Sequence, residues 1–309
     1  MVEKVSSMGR LLDYMSENKK VGIFGITYLD EKLRGILKGD LIVLGARSGA
    51  GKSTLSNIIA TVNARLGVKV ALFSLENFKD DNFVEKAYYF YKKEVKDYSL
   101  SLRDFASGDF DKNLEALEKA EKYAEECYKG INIINRQLNF SIEDLKNGII
   151  DQVKNKGVNL IVLDHLDYID KYDNDTDYTH MNSLMKTIRE LQDEYKVAVV
   201  AISHLRKAYN SKEVAIIPSV DEFIGSSNKV KEATCVIMFA PDDEENFKMA
   251  KENLGKKSTW CCIRKLRMGG IDNKAAKLIF NTKTGDYDKK YALYAVNYSG
   301  TKVTELDTE

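Results

Sequence analysis

Proline is nearly absent from this chain: two occur among 309 residues, and no low-complexity stretch stands in for a linker. Nothing therefore announces a hinge between two folded halves. Cysteine is scarce as well. Cys127, Cys235, Cys261 and Cys262 have neither metal-ligand spacing nor the pattern of a disulfide framework. That excludes a stapled secreted domain and leads to the expectation of a reducing cytoplasm. Net charge is missing too, because Lys+Arg 47 balance Asp+Glu 47. Any contact with nucleic acid must then come from a local patch and not from a global cationic field. No apolar run is long enough to cross a bilayer, and no signal-peptide pattern is visible. What the chain has in quantity is material for a core and a solvated surface, 44% hydrophobic and 30% charged.

Its organising stretch is Leu41-Ile-Val-Leu-Gly45-Ala-Arg-Ser-Gly-Ala-Gly51-Lys52-Ser53-Thr54. An apolar strand runs into a turn of small residues, and Lys52-Ser53 open a helix whose apolar face is Leu55, Ile58, Ile59, Val62 and Leu66. Small residues let the backbone N–H groups of Ala46, Arg47, Ser48, Gly49, Ala50 and Gly51 converge on one anion, and the helix N-terminus adds its positive dipole end. In this pattern Lys52 reaches the terminal phosphates of a nucleotide and Ser53 ligates Mg²⁺, with Thr54 beside them. Ala46 stands where the strict motif has glycine. Gly45 and Gly49 are expected to keep the turn flexible.

Around it the chain alternates strands and helices. Val5, Met8, Leu11, Leu12 and Met15 form a short amphipathic helix within residues 1–20, preceding a single domain over residues 21–309. Strands are expected at 68–76, 131–134, 159–165, 197–204 and 234–239, and helices at 80–98, 111–129, 142–154 and 178–195. The aromatic cluster Tyr88, Tyr89, Phe90 and Tyr91 reads as packing. Residues 260–265 and 276–281 read as antiparallel strands at a sheet edge. The result is an α/β protein with a doubly wound, mostly parallel sheet flanked by helices.

Three further residues sit where chemistry is done. Asp164 ends an apolar strand about a hundred residues after the phosphate loop, at the carboxyl edge where parallel sheets bind ligands, near the place of Mg²⁺ and its waters. Glu76 closes another strand and can act as general base toward a water attacking a terminal phosphate. His204 closes a third and can sense that phosphate by hydrogen bonding. His165 reads as packing or a supporting contact, and His180 as a surface residue.

The series Gly45-Ala-Arg-Ser-Gly-Ala-Gly-Lys-Ser53, Phe73-Ser-Leu-Glu76, Leu160-Ile-Val-Leu-Asp-His-Leu166, Ile202-Ser-His-Leu205 and Ile263-Arg-Lys-Leu-Arg-Met-Gly-Gly270 resembles the ordered motifs of DnaB-like replicative helicases, over roughly residues 21–290. That resemblance implies a RecA-like ATPase domain, a ring-shaped and hexameric assembly, ATP at subunit interfaces, and 5′-to-3′ movement on single-stranded DNA. It makes Glu76 the catalytic carboxylate, Asp164 the second acid and His204 the terminal-phosphate contact. Lys265 and Arg267 match the basic pair that reaches a neighbouring subunit's nucleotide. Residues 221–231 occupy the place of the DNA-binding loop, with Gly225, Ser226, Ser227, Lys229 and Lys231 as contacts and Ile224 where many members have arginine. Arg206 and Lys207 are a second candidate patch.

Nothing resembles the amino-terminal helical or primase domain usual in the family. The chain is expected to be either a minimal helicase or part of a longer protein, with a primase or loader as partner. Two other readings stay open on the same fold. One is a recombinase-like filament ATPase, and the other a non-motor nucleotide-binding module that loads or regulates a helicase.

Overall fold

The computed structural model describes residues 15, 19–77, 80–172, 175–205, 215–223, 226–252, 254–297 and 299–306, with residues 226–228 described by their backbone alone. The helix expected within residues 1–20, built on Val5, Met8, Leu11 and Leu12, lies outside these residues, as do Arg206, Lys207, Ile224 and Gly225.

Leu41–Ala46 (β3) is apolar end to end because it is buried on both faces, in the middle of an 11-stranded sheet. It follows a small antiparallel pair, Lys20–Gly22 (β1) with Ile36–Leu37 (β2), and a helix at Thr27–Leu33 (α1). The helix Lys52–Arg65 (α2) carries the chain not to a neighbouring position but to Val70–Ser74 (β4), three places along the sheet. Ile131–Asn135 (β5) then pairs with β4 at the edge, while Leu160–Asp164 (β6) and Ala198–His204 (β7) fill the gap between β4 and β3. Cys235–Pro241 (β8) flanks β3 on its other side. All six of these strands run parallel.

Lys256–Leu266 (β9), Lys274–Asn281 (β10), Asp286–Tyr287 (β11), Ala292–Val296 (β12) and Val303–Glu305 (β13) continue the sheet in antiparallel fashion. The doubly wound sheet with antiparallel strands at its C-terminal edge is the architecture that the alternation of apolar runs implies.

Helices cover both faces. Asp81–Val95 (α3), Leu102–Ser107 (α4) and Leu114–Tyr128 (α5) lie between β4 and β5, Ile142–Lys154 (α6) before β6, and Asp177–Tyr195 (α7) before β7. Ser226–Glu232 (α8) precedes β8, and Asp243–Lys251 (α9) follows it. The helices α4, α8 and α9 are not visible as periodic patterns, being six, seven and nine residues long. Two apolar cores form, one on each side of the sheet. The tyrosines and phenylalanines of α3 are packing as expected: Tyr88 and Tyr91 are buried against Phe105, and Phe90 stacks on Tyr123 at 4.6 Å. His180, expected at the surface, is buried on α7, and burial pushes its pKa down.

The order of strands decides where the chemistry lies. Ala46 is level with His204, and Ser74 with Asp164, in the parallel registers. Four segments far apart in sequence therefore end side by side at one carboxyl edge.

Candidate active site

The phosphate loop begins where β3 ends. Ala46 stays inside the sheet, paired with His204 on one side and Phe239 on the other, and this is why alanine serves where the strict motif has glycine. Gly45 is needed for space and not for flexibility. A Cβ there would meet the Phe223 ring at 2.6 Å and Met238 Sδ at 2.8 Å. The flexible positions are Gly49 and Gly51, at φ +83° and +78°, where only glycine is unstrained. A Cβ on Gly49 would meet nothing within 4 Å, so the space above the loop is open.

Gly51 caps α2 without any side-chain hydrogen bond. The first-turn N–H groups of Lys52, Ser53 and Thr54 therefore lack an acceptor within the helix, the arrangement that takes an anion. Two other loop N–H groups hold the loop's shape: that of Arg47 donates to the Phe239 carbonyl and that of Ala50 to the Arg47 carbonyl, each at 3.1 Å. The Arg47 side chain turns away from the loop. Its guanidinium forms a two-pronged pair with Glu222, at 2.8 and 2.9 Å, and donates to the Ala215 carbonyl at 2.7 Å.

Asp164 is 1% exposed. Its Oδ2 accepts a 2.7 Å hydrogen bond from Ser56, one turn beyond Ser53, while its Oδ1 is buried with no hydrogen-bond partner among the described residues. Burial raises the pKa of this carboxyl against the hydroxyls of Ser56 and Ser53 and the His165 ring. A buried carboxylate with a free oxygen beside a serine hydroxyl is a hard-oxygen donor set of the kind magnesium prefers, so the residues present fit that ion. Lys52 is half-buried. Desolvation lowers its pKa, and the Glu76, Asp164 and Asp167 carboxylates counter that fall.

Beside them Glu76, His165 and His204 offer ligand-type atoms within 4.8 Å of one another. Strand β4 ends at Ser74, so Glu76 sits in the bend beyond it, partly exposed and 3.4 Å from His165 Nε2. His165 Nε2 and His204 Nε2 are 2.7 Å apart. One ring must donate and the other accept, so the pair shares a single proton along that line. Asp167 completes the cluster. Its Oδ2 accepts the His204 backbone N–H at 2.8 Å and lies 3.3 Å from His165 Nδ1, while its Oδ1 pairs with Lys229 at 3.0 Å. Burial alone would raise its pKa, but the His165 ring, the Lys229 ammonium and the His204 N–H prevail and hold the carboxyl well below the usual range.

Burial, then the neighbouring His165 and Lys52, push the His204 pKa below its ordinary 6.5. The imidazole is therefore neutral at pH 7, and the proton it takes up below 6.5 leaves both of its ring nitrogens as donors, so that it accepts from no neighbour and carries a charge toward Lys52. Any catalysis that uses this histidine should consequently stay level from pH 8 to 6.5 and fall on further acidification. His204→Gln, measured over the same range, should show a shallower fall. A decline of the parental protein already complete at pH 7 would contradict a neutral His204.

The expected DNA-contact and finger residues are placed less uniformly. Lys231 is exposed. Lys229 is not: at 0% exposure its ammonium is turned inward to Asp167 and Ser203. Its expected place on a DNA-facing surface is thus corrected to the interior, because an apolar stem on α8 reaches a buried carboxylate more readily than water. Lys265 and Arg267 also part company. Lys265 donates to the carbonyls of Val230 and Lys231, at 2.6 and 3.0 Å, so its charge closes the C-terminal end of α8. Arg267 is exposed. Sequence reasoning passed over Ser56, Asp167 and the central place of His165. The spacing of Ser53 to Ser56 and of Asp164 to Asp167 was the available signal.

The model of the DnaB-like helicase C-terminal domain matches residues 23–289. A curated relative, the replicative DNA helicase DnaB of Mycoplasma genitalium, is 20% identical over 275 residues, covering 87% of this chain and 56% of its own length. The chain thus spans about half of that relative. Two solved structures share the fold at a TM-score of 0.72 and 19% identity each. One is a DnaB-like replicative helicase described with its interactions with primase, covering 92% of this chain and 68% of its own; the other is an isolated ATPase domain, covering 93% and 99%.

Proposed function

This chain belongs to the family of DnaB-like helicase C-terminal domains, and from that premise we propose that it is the ATP-hydrolysing motor of a ring-shaped, hexameric replicative DNA helicase. ATP is the substrate. Backbone N–H groups of the phosphate loop and Lys52 hold its phosphates, and Glu76 takes the proton of the attacking water. His204 meets the terminal phosphate. Ser53 and Asp164 are the residues that would hold Mg²⁺, whose charge offsets that of the phosphates.

The observation that carries the ring is the position of Arg267. Cys235 and Leu266 are level at the start of β8, whereas Phe239 is level with Ala46 at the phosphate loop. At a strand rise of ~3.3 Å per residue, about 13 Å of sheet lies between those two levels. Arg267 is therefore on the amino edge, facing away from its own protomer's loop. An exposed arginine there supports hydrolysis completed by a neighbour, a cation lent in trans.

Each protomer then offers a nucleotide at one face and a finger at the other, a heterologous contact that closes into a ring. Single-stranded DNA runs through the centre against the surface of the 221–231 segment, Lys231 included and the interior Lys229 excluded, with movement 5′ to 3′. A primase or a loader is the partner this reading brings. No helix among the described residues is long and apolar enough to cross a membrane. A replicative motor of this kind acts where the DNA is copied, in the cytoplasm of a bacterium or of a phage's host.

Forked DNA with one free tail tests the reading. ATP-dependent strand separation is expected with a free 5′ tail, by closed rings in electron micrographs. Hydrolysis that ignores DNA, with neither fork opened, would leave a non-motor module. Open filaments would favour the recombinase-like alternative.

A further inference from the structure

We infer that Lys229 and Asp167 are positioning residues that tie the phosphate-sensing end of β7 to α8, so that DNA contact at the loop and hydrolysis at the nucleotide report to each other through one buried ion pair. The inference rests on the motor reading above and adds to it the physical connection.

Asp167 lies in the 3-10 turn Leu166–Tyr168, directly after β6. Its two oxygens face in different directions. Oδ2 takes the His204 N–H at 2.8 Å and the Ser203 hydroxyl at 3.2 Å, both at the end of β7. Oδ1 takes the Lys229 ammonium at 3.0 Å. Lys229 also donates to Ser203, at 2.5 Å, and its ammonium stands 5.8 Å from the Phe223 ring. A lysine with no exposed surface must keep an anionic partner, since leaving the charge alone in the interior costs far more than a surface pair returns. Helix α8 is thus obliged to follow Asp167, and Asp167 is bonded to the backbone of the residue that meets the terminal phosphate.

The rest of the loop is held in the same manner. Arg47, inside the phosphate loop, grips Glu222 and the Ala215 carbonyl upstream of α8. Lys265, two residues from the finger Arg267, holds the carbonyls at the helix's other end. Phosphate loop, sensor and finger strand each place a cation or a carboxylate on this one segment. Of the two ion pairs among these connections the Asp167–Lys229 pair is the more deeply set, with the lysine at 0% and the carboxylate at 17% exposure, where electrostatic coupling is less screened.

A static brace would have the same bonds, so the test must separate the two. Lys229→Met keeps an unbranched apolar stem and removes the charge. Its basal ATPase rate should match the parental protein, while stimulation by single-stranded DNA falls about tenfold or more toward the basal level. The salt dependence of its DNA binding, read by fluorescence anisotropy, should not change, since Lys229 touches no DNA phosphate.

In Asp167→Asn/Lys229→Met neither charge is left unpaired, so this variant guards against failure to fold, and it should lose stimulation to the same extent. Full stimulation in either variant, with only a lower melting temperature, would make the pair a brace and overturn the inference. A salt slope reduced by about one would make Lys229 a phosphate contact and overturn it equally. A parental protein that hydrolyses ATP without responding to DNA would instead remove the motor reading, and this connection with it.

Discussion

Arg267→Ala should reduce DNA-stimulated ATP hydrolysis by about 10³-fold or more, with nucleotide binding nearly unchanged. The side chain is exposed on the amino edge of the sheet, on a hairpin whose base is held by the hydrogen bond from its own N–H to the Thr234 carbonyl at 2.8 Å. Its removal leaves the fold intact, because it contributes no packing to either core. Ile271 at the same tip is 52% exposed, apolar surface of the kind that interfaces between chains use.

A mixture with Lys52→Ala chains makes the argument stringent. Each variant is inactive alone, yet in a randomly mixed ring about a quarter of the interfaces join an intact phosphate loop to an intact finger. Recovery of activity on mixing is expected. Parental hydrolysis by Arg267→Ala alone would refute a finger acting in trans.

Glu76→Gln should lower hydrolysis by about 10²–10⁴-fold, the usual contribution of a positioned general base. Nucleotide binding, followed by a fluorescent ATP analogue, should be retained. Gln keeps the length of the side chain and its contact toward His165, at 3.4 Å in the present arrangement, so the change removes a proton acceptor and little else. Its partial exposure beside an open loop leaves room for the water it would activate. A variant that hydrolyses ATP as fast as the parental protein would mean that another carboxylate is the base.

The fold was legible because burial on two faces writes itself into composition. A strand such as Leu160–Asp164 must be apolar up to its last residue, and one such as Leu41–Ala46 must end in small residues if a phosphate is to approach. The short helices α4, α8 and α9 were not legible, having too few turns for a periodic signal. The phosphate loop, Asp164 and Glu76 could be named from local pattern, since each sits at an abrupt end of an apolar run. Asp167 and Lys229 could not be paired that way. They are 62 residues apart, and a lysine in a polar loop ordinarily belongs to water.

By itself, then, the order of residues determined which groups this protein carries to the carboxyl edge of its sheet: a small-residue loop, one lysine, two acids and a histidine where apolar runs stop. That followed from constraints acting within a few residues of each site. Where Arg47, Lys229, Lys265 and Arg267 lie was decided only when the strands took their order, β6 and β7 between β3 and β4 and β8 and β9 beyond β3 on the other side. A cation settles on whichever anion or carbonyl the assembled sheet brings within reach, and that proximity is a property of the topology, written nowhere in the local chain.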